Sequence, residues 1–145
     1  MAIFISVVLC AFFFLPSEAL YDLEPCYGER SMKEHKVRQT LFALVNTIES
    51  PNPKFINYDC NTENLASLSL KEPKYFEKNP KFNELKLVET RYEGKREDYP
   101  SRDVFLQDAV DRWSEELNKY NSFRRFGCNF SEDENKFITA CLFKQ

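Results

Sequence analysis

Histidine and tryptophan each occur once in these 145 residues, methionine twice and glycine three times. Each scarcity closes off some chemistry. A catalytic or zinc site built on imidazoles needs more than one histidine. A glycine-rich loop that cradles phosphate cannot be assembled from so few glycines. No two cysteines stand as a CxxC pair, which argues against a thiolate metal site. No acidic stretch has the EF-hand spacing that would gather oxygens around calcium. Neither sign of charge dominates: 20 Lys and Arg against 23 Asp and Glu leave a net −3. Nucleic acid and anionic membranes are therefore not implied as partners, and no cofactor is implied. Repeats and low-complexity segments are missing as well.

One long apolar run is present, Ile3 to Leu15, with no charged residue from Ala2 onward. Pro16 breaks it, and Ser17-Glu18-Ala19 puts small residues at the two positions a signal peptidase reads. The run is shorter than the roughly 20 residues a membrane span needs, and its leading end lacks Lys or Arg. Residues 1–19 are accordingly read as a signal peptide and residues 20–145 as a single extracellular domain, secreted and without a membrane span. Loss of Glu18 brings the net charge to −2. Loss of Cys10 leaves Cys26, Cys60, Cys128 and Cys141. An even number of cysteines in an oxidising compartment reads as a disulfide framework, and four thiols allow three connectivities.

Periodicity predicts a helix over residues 31–50. Ser31 and Glu34 form a capping box, Val37, Leu41, Leu44, Val45 and Ile48 recur at helical spacing, and Ser50-Pro51-Asn52-Pro53 stops it. A shorter helix is expected over 61–71, capped by Asn61 or Thr62, with Leu65, Leu68 and Ala66 as its apolar side. Pro73, Pro80 and Pro100 bracket a polar middle in which only Leu85 to Tyr92 reads as a strand. Residues 101–120 form the next helix, with Ser101 as cap and Leu106, Val110, Trp113, Leu117 and Tyr120 on one face. Trp113 and the phenylalanines read as core.

Two strand-like runs, Phe123–Phe130 and Phe137–Phe143, flank the polar loop at 131–136. Parity groups Phe126, Cys128 and Phe130 on one run and Phe137, Cys141 and Phe143 on the other. A hairpin turning near Glu134-Asn135 sets Cys128 opposite Cys141 on one face, so these two are expected to bridge. That leaves Cys26 and Cys60 for each other. Asn129-Phe130-Ser131 is an N-glycosylation acceptor sequence, and a glycan at Asn129 is the corresponding expectation.

Four segments together resemble the CAP superfamily of cysteine-rich secretory, antigen 5 and pathogenesis-related-one proteins (SCP domains), in its nematode form. Glu34-His35-Lys36-Val37-Arg38-Gln39-Thr40-Leu41 is similar to the family's first-helix signature, His-Asn-x-x-Arg. Tyr58-Asp59-Cys60 is similar to the start of its second helix, and Trp113-Ser114-Glu115-Glu116 to the Trp-x-x-Glu of its third. Phe126-Gly127-Cys128 and Ile138-Thr139-Ala140-Cys141 resemble its closing hairpin. Two departures are plain. The Gly-Glu-Asn motif is not recognisable, although Tyr92-Glu93-Gly94 falls in its region. The Gly-His-x-Thr-Gln-x-x-Trp segment has no room, because only residues 121–125 separate the third helix from the Gly-Cys strand.

The resemblance implies a cation site of two His and two Glu, and of those positions only Glu116 is matched here. His35 belongs to the first-helix signature and not to that site. Read from the residues alone, His35 is a partly exposed first-turn residue or a packing partner, and Glu116 a surface carboxylate paired with Arg112. The family-signature positions are thus His35, Arg38, Trp113 and Glu116, with no catalytic and no metal residue among them. The expected fold is α+β, helices on a small antiparallel sheet, a reduced CAP-like α-β-α sandwich closed by a disulfide-linked hairpin. The expected function is a non-catalytic extracellular binding or effector module, not an enzyme, whose partner is an extracellular protein or a lipid or sterol. The alternative is a small disulfide-stabilised protease inhibitor or ligand carrier of unrelated fold.

Overall fold

The computed structural model describes residues 23–48, 55–119 and 122–145. The expected signal peptide, the expected proline stop after the first helix, and Tyr120 lie outside the described residues.

The sheet is built around the hairpin. Strands β3 (Arg125–Glu132) and β4 (Lys136–Lys144) pair antiparallel with Cys128 opposite Cys141, and the two are bonded as a disulfide across a Cα separation of 4.0 Å. The parity argument therefore holds: Phe126, Cys128, Phe137, Cys141 and Phe143 share one face, and a one-residue slip would turn them all to the other. Strand β2 (Leu87–Lys95) lies antiparallel on the far side of β4, and the two-residue β1 (Asn57–Tyr58) lies on the far side of β3. The order is β1-β3-β4-β2. β1 runs parallel to β3, so the sheet is mixed and not purely antiparallel.

Helices cover both faces. On one, α1 (His35–Asn46) and α4 (Arg102–Leu117) enclose the main core with Phe126, Cys128, Phe137, Cys141 and Phe143. Phe42, Phe126 and Phe143 form a stacked row, with successive ring centroids 6.2 and 5.5 Å apart. Leu106, Val110, Trp113 and Leu117 meet Leu41 and Val45 there, as their two stripes require. On the other face, α2 (Cys60–Lys71) and the single turn α3 (Tyr75–Lys78) cover Leu142 with Ala66 and Phe76. This is an α+β sandwich. No helix among the described residues is long and apolar enough to cross a membrane.

Three local expectations need correction. The capping box is not formed: Ser31 Oγ donates to Asn64 and the Glu34 carboxylate accepts from Arg102, so α1 begins only at His35. The cap of α2 is Asp59, whose carboxylate accepts from Thr62 N–H, and not Asn61 or Thr62. The innermost face of α2 is not the leucines, which are half-buried, but Thr62, Glu63, Ala66 and Ser69. Small side chains are needed there because the helix lies directly on β3. Ser101 caps α4 as expected, accepting from Val104 N–H at 3.3 Å.

Candidate functional site

Arg38 and Glu63 form a fully buried ion pair between α1 and α2, with side chains 1% and 0% exposed. Arg38 falls in register with Leu41, Phe42 and Val45, so the helix that buries those residues buries it too. Its guanidinium donates Nε–H to Glu63 Oε2 at 2.6 Å and Nη2–H to Oε1 at 2.9 Å. Nη2 also donates to Met32 C=O at 2.6 Å, and Nη1 lies 3.0 Å from His35 Nδ1. Glu63 accepts further from Met32 N–H (2.8 Å) and from the Tyr58 hydroxyl (2.6 Å). That hydroxyl in turn accepts from Cys128 N–H at 3.2 Å. The network thus joins α1, α2, β1, β3 and the 29–33 turn. Its donors and acceptors are used up holding the fold, which is what a buried charge pair requires. His35, half-buried, is spent as a partner of Arg38.

Hydrogen bonding to Glu63 holds the Arg38 guanidinium above its ordinary value despite burial. Burial, reinforced by the Glu63 carboxylate, raises the Tyr58 hydroxyl well above its own. Burial also raises Tyr99, helped by its contacts with Tyr92 and Asp108. Hydrogen bonds from Tyr92 and Tyr99 lower Asp108, and a bond from Lys136 lowers Glu93. The linkage signs follow. A tyrosine raised in the folded state contributes stability that is complete below about pH 10 and is lost as pH climbs through the folded value. A lowered carboxylate contributes stability that is complete above about pH 4 and is lost as pH falls through its folded value. Thermal midpoints should therefore be flat across neutral pH and fall on both sides, and Tyr58→Phe should soften the alkaline limb. An alkaline limb unchanged in Tyr58→Phe would contradict the role given to Tyr58.

Above this network lies an open cleft of about 600 Å³. The 29–34 turn forms one wall, Ser67, Leu70 and Lys71 of α2 another, and Asn129 to Glu132 of β3 the third. Leu70 and Phe130 give it apolar ground. Two arginines outside the lining offset two of its acids: Arg102 of α4 bonds Glu34 and stands 3.5 Å from Glu132, and Arg96 stands 3.9 Å from Glu132. Arg30, Lys33 and Lys71 are exposed and, among the described residues, make no ion pair, while Glu29 is the one lining acid in the same condition. The cleft is therefore net basic.

Asn129 is 5% exposed and turned inward. Its Nδ2 donates to Arg30 C=O at 2.8 Å and reaches Glu63 C=O at 3.4 Å, while its Oδ1 accepts from Phe130 N–H. The nitrogen that would carry a glycan is engaged in tying β3 to the turn, and a glycan at Asn129 would have to displace those bonds. Mature protein from a glycosylating host should keep its mass on treatment with a peptide N-glycosidase. A glycan at Asn129 on correctly bridged protein would show that the turn packs otherwise.

Glu116 sits exposed on α4 beside a second hollow of about 390 Å³ bordered by Phe76, Phe82, Leu87 and Glu89. The expected bond to Arg112 is not made. Arg112 Nε donates to Asp108 one turn earlier at 3.2 Å, where Tyr92 and Tyr99 already fix that carboxylate. Glu89 spends both oxygens on Tyr75 and Phe76 N–H at the start of α3. Among the described residues no group of three or more His, Cys, Asp or Glu could hold a metal ion. Trp113 is 5% exposed and belongs to the core. The other disulfide joins Cys26 to Cys60, the first residue of α2.

Tyr58 was read only as the first residue of the Tyr-Asp-Cys resemblance, and the parts it and Glu63 play beside Arg38 went unread in the sequence. The signal was there: Arg38 and Glu63 each stand where an inward-facing residue belongs on its helix.

The same architecture occurs in solved structures. Ancylostoma-secreted protein Ac-ASP-7 shares it at a TM-score of 0.59 and 19% identity, over 84% of this chain and 78% of that one. NaASP2 with Zn2+ gives 0.60 at 14% identity, over 81% and 83%. Hookworm Platelet Inhibitor gives 0.52 at 14%, over 83% and 74%. No curated protein sequence matches. The family described as Ancylostoma-associated secreted protein related matches residues 26–143. That match and the shared fold remove the alternative of an unrelated scaffold, and the chain belongs to this family, of nematode-like CAP type.

Proposed function

We propose that this chain is a secreted, non-catalytic binding module whose recognition surface is the cleft between the 29–34 turn, α2 and β3. The observation that carries the reading is the uneven charge of that cleft. Glu34 and Glu132 are offset by Arg102 and Arg96, while the Arg30, Lys33 and Lys71 side chains are exposed and make no ion pair among the described residues. An open, charge-walled hollow suits an acidic segment of an extracellular protein better than a sterol or acyl chain, which needs an enclosed apolar cavity. Secretion accords with the two disulfides and with the family's description. The shortfall in imidazoles argues against turnover, since one histidine, already engaged with Arg38, cannot serve as both base and ligand.

The test is retention of partners from extracellular fluid by the immobilised, correctly bridged domain, compared with a Lys33→Glu/Lys71→Glu variant. Partners should be retained by the native domain and released at lower salt by the variant, with affinity down about tenfold or more. Equal retention by both would move the site elsewhere. Calorimetry with zinc should show no tight binding, and tight zinc uptake lost in His35→Ala would overturn the non-catalytic reading.

A further inference from the structure

β2 is a long outer strand with one side free. It spans nine residues and pairs only with β4. Arg96 N–H donates to Asn135 C=O at 2.8 Å, continuing the register in which Lys95 faces Lys136. In an antiparallel ladder, pairs with and without mutual hydrogen bonds alternate. The even-numbered residues of β2 therefore bond to β4. The odd-numbered ones aim their N–H and C=O groups at the free side, where among the described residues no neighbouring strand meets them. A free edge of this length is usually shortened, broken by proline, covered or blunted by charged side chains. β2 contains no proline.

The outward-bonding residues also carry the charges: Glu89, Arg91, Glu93 and Lys95. Their order is complementary to itself under a two-fold axis. With Tyr92 opposite Tyr92 of a second copy, Glu89 faces Lys95 and Arg91 faces Glu93, each pair occurring twice. All four charged pairs are then of opposite sign and lie at positions whose backbone groups are free to bond, with Glu89 keeping its bonds from Tyr75 and Phe76 N–H and Arg91 its bond to Ser69 C=O. Moving the axis one residue to Arg91 sets Arg91 against Arg91 and Glu89 against Glu93, both repulsive, and leaves Lys95 facing Leu87. Moving it to Thr90 keeps Glu89 against Arg91 but leaves Glu93 facing Leu87. Moving it to Gly94 keeps Glu93 against Lys95 but carries Arg91 past the end of the strand at Lys95, so only the Tyr92 register pairs all four charges within β2.

We propose that two copies of this chain associate through the free edge of β2, antiparallel about Tyr92, into a continuous eight-stranded sheet. The partner is an identical chain because the charge order fits its own two-fold copy. Within one chain Arg91 already stands 3.0 Å from Glu93, and Glu93 3.1 Å from Lys136. The dimer extends that row of alternating charge and leaves the cleft beside the 29–34 turn open.

Sedimentation of the mature, disulfide-bonded chain should show a reversible shift from one-chain to two-chain mass between micromolar and millimolar protein, weakened by salt. Amide exchange at Glu89, Arg91 and Glu93 should slow with rising concentration, while Thr90 and Tyr92 are protected at every concentration. Glu93→Lys should weaken association by about tenfold or more, and Arg91→Glu/Glu93→Lys, which reverses the signs together, should restore most of it. A chain that stays monomeric at millimolar concentration and low salt overturns the proposal. So does a dimer that Glu93→Lys leaves unchanged, or one whose odd-numbered β2 amides exchange at the same rate at all concentrations. The exchange measurement needs no substitution, so a variant that folds poorly does not blur the outcome.

Discussion

Glu63→Ala is expected to destabilise the domain by about 3–5 kcal/mol, a large share of what a domain of this size possesses. The loss has two sources. Arg38 stays 1% exposed with its charge uncompensated, because the phenylalanine row and Leu41 hold α1 in place around it. Met32 N–H also loses its acceptor, and the Tyr58 hydroxyl loses one of its two. Arg38→Met alone should cost a comparable amount by stranding the carboxylate. The double substitution Arg38→Met/Glu63→Leu should recover most of the loss, because two apolar side chains of similar bulk desolvate no charge. Denaturant unfolding of the three variants closes a double-mutant cycle. A Glu63→Ala chain with the native midpoint, or a cycle with no coupling, would falsify the buried pair as the joint between the two helices.

Gly127→Ala is expected to cost about 3 kcal/mol or more, at the upper end of what overpacking does. A Cβ there would stand 2.2 Å from Glu63 N, 2.6 Å from Asp59 O and 2.6 Å from Thr62 C. All three are backbone atoms, so no rotamer change relieves the clash and the first turn of α2 must lift from β3. The lift carries Glu63 away from Arg38, so Gly127→Ala and Glu63→Ala together should cost less than their sum. Gly94→Ala is the comparison. Its Cβ meets the Tyr99 ring at 2.5 Å, a side chain that can swing aside by giving up its bond to Asp108, and the loss should be about 1 kcal/mol. Equal thermal midpoints for Gly127→Ala and the native chain would mean that α2 does not rest on that strand.

The hairpin was legible because it is local: two runs with matching parity, a polar turn between them and a cysteine on each. α4 was legible for the same reason, having a serine cap and one uninterrupted stripe. The start of α1 was misread because Ser31 and Glu34 are claimed by Asn64 and Arg102, partners 33 and 68 residues away. Local spacing cannot announce such competitors. α2 was misread for a related reason. Its leucines dominate any count of apolarity, yet contact with Gly127 selects the small side and carries Glu63 inward. The cleft was not legible at all, since its walls come from residues near 30, 70 and 130 and exist only once the sheet order is set. Glu116 was found by resemblance, and the structure gives it a surface position.

The strand order has a consequence for how the chain is made. β4 has neighbours on both sides, and β3 holds β1, yet both strands follow β1, β2 and all the helices in sequence. A ribosome supplies the chain from its N-terminus at about 5–20 residues per second. For several seconds the growing chain carries helices with exposed stripes, and Phe42, Phe105 and Trp113 without the strands that cover them. Cys26 and Cys60 can meet in that interval, but their surroundings are incomplete until Gly127 arrives beneath α2. The core around α1 and α4 therefore cannot close until residues 125–144 have been made and Cys128 can face Cys141.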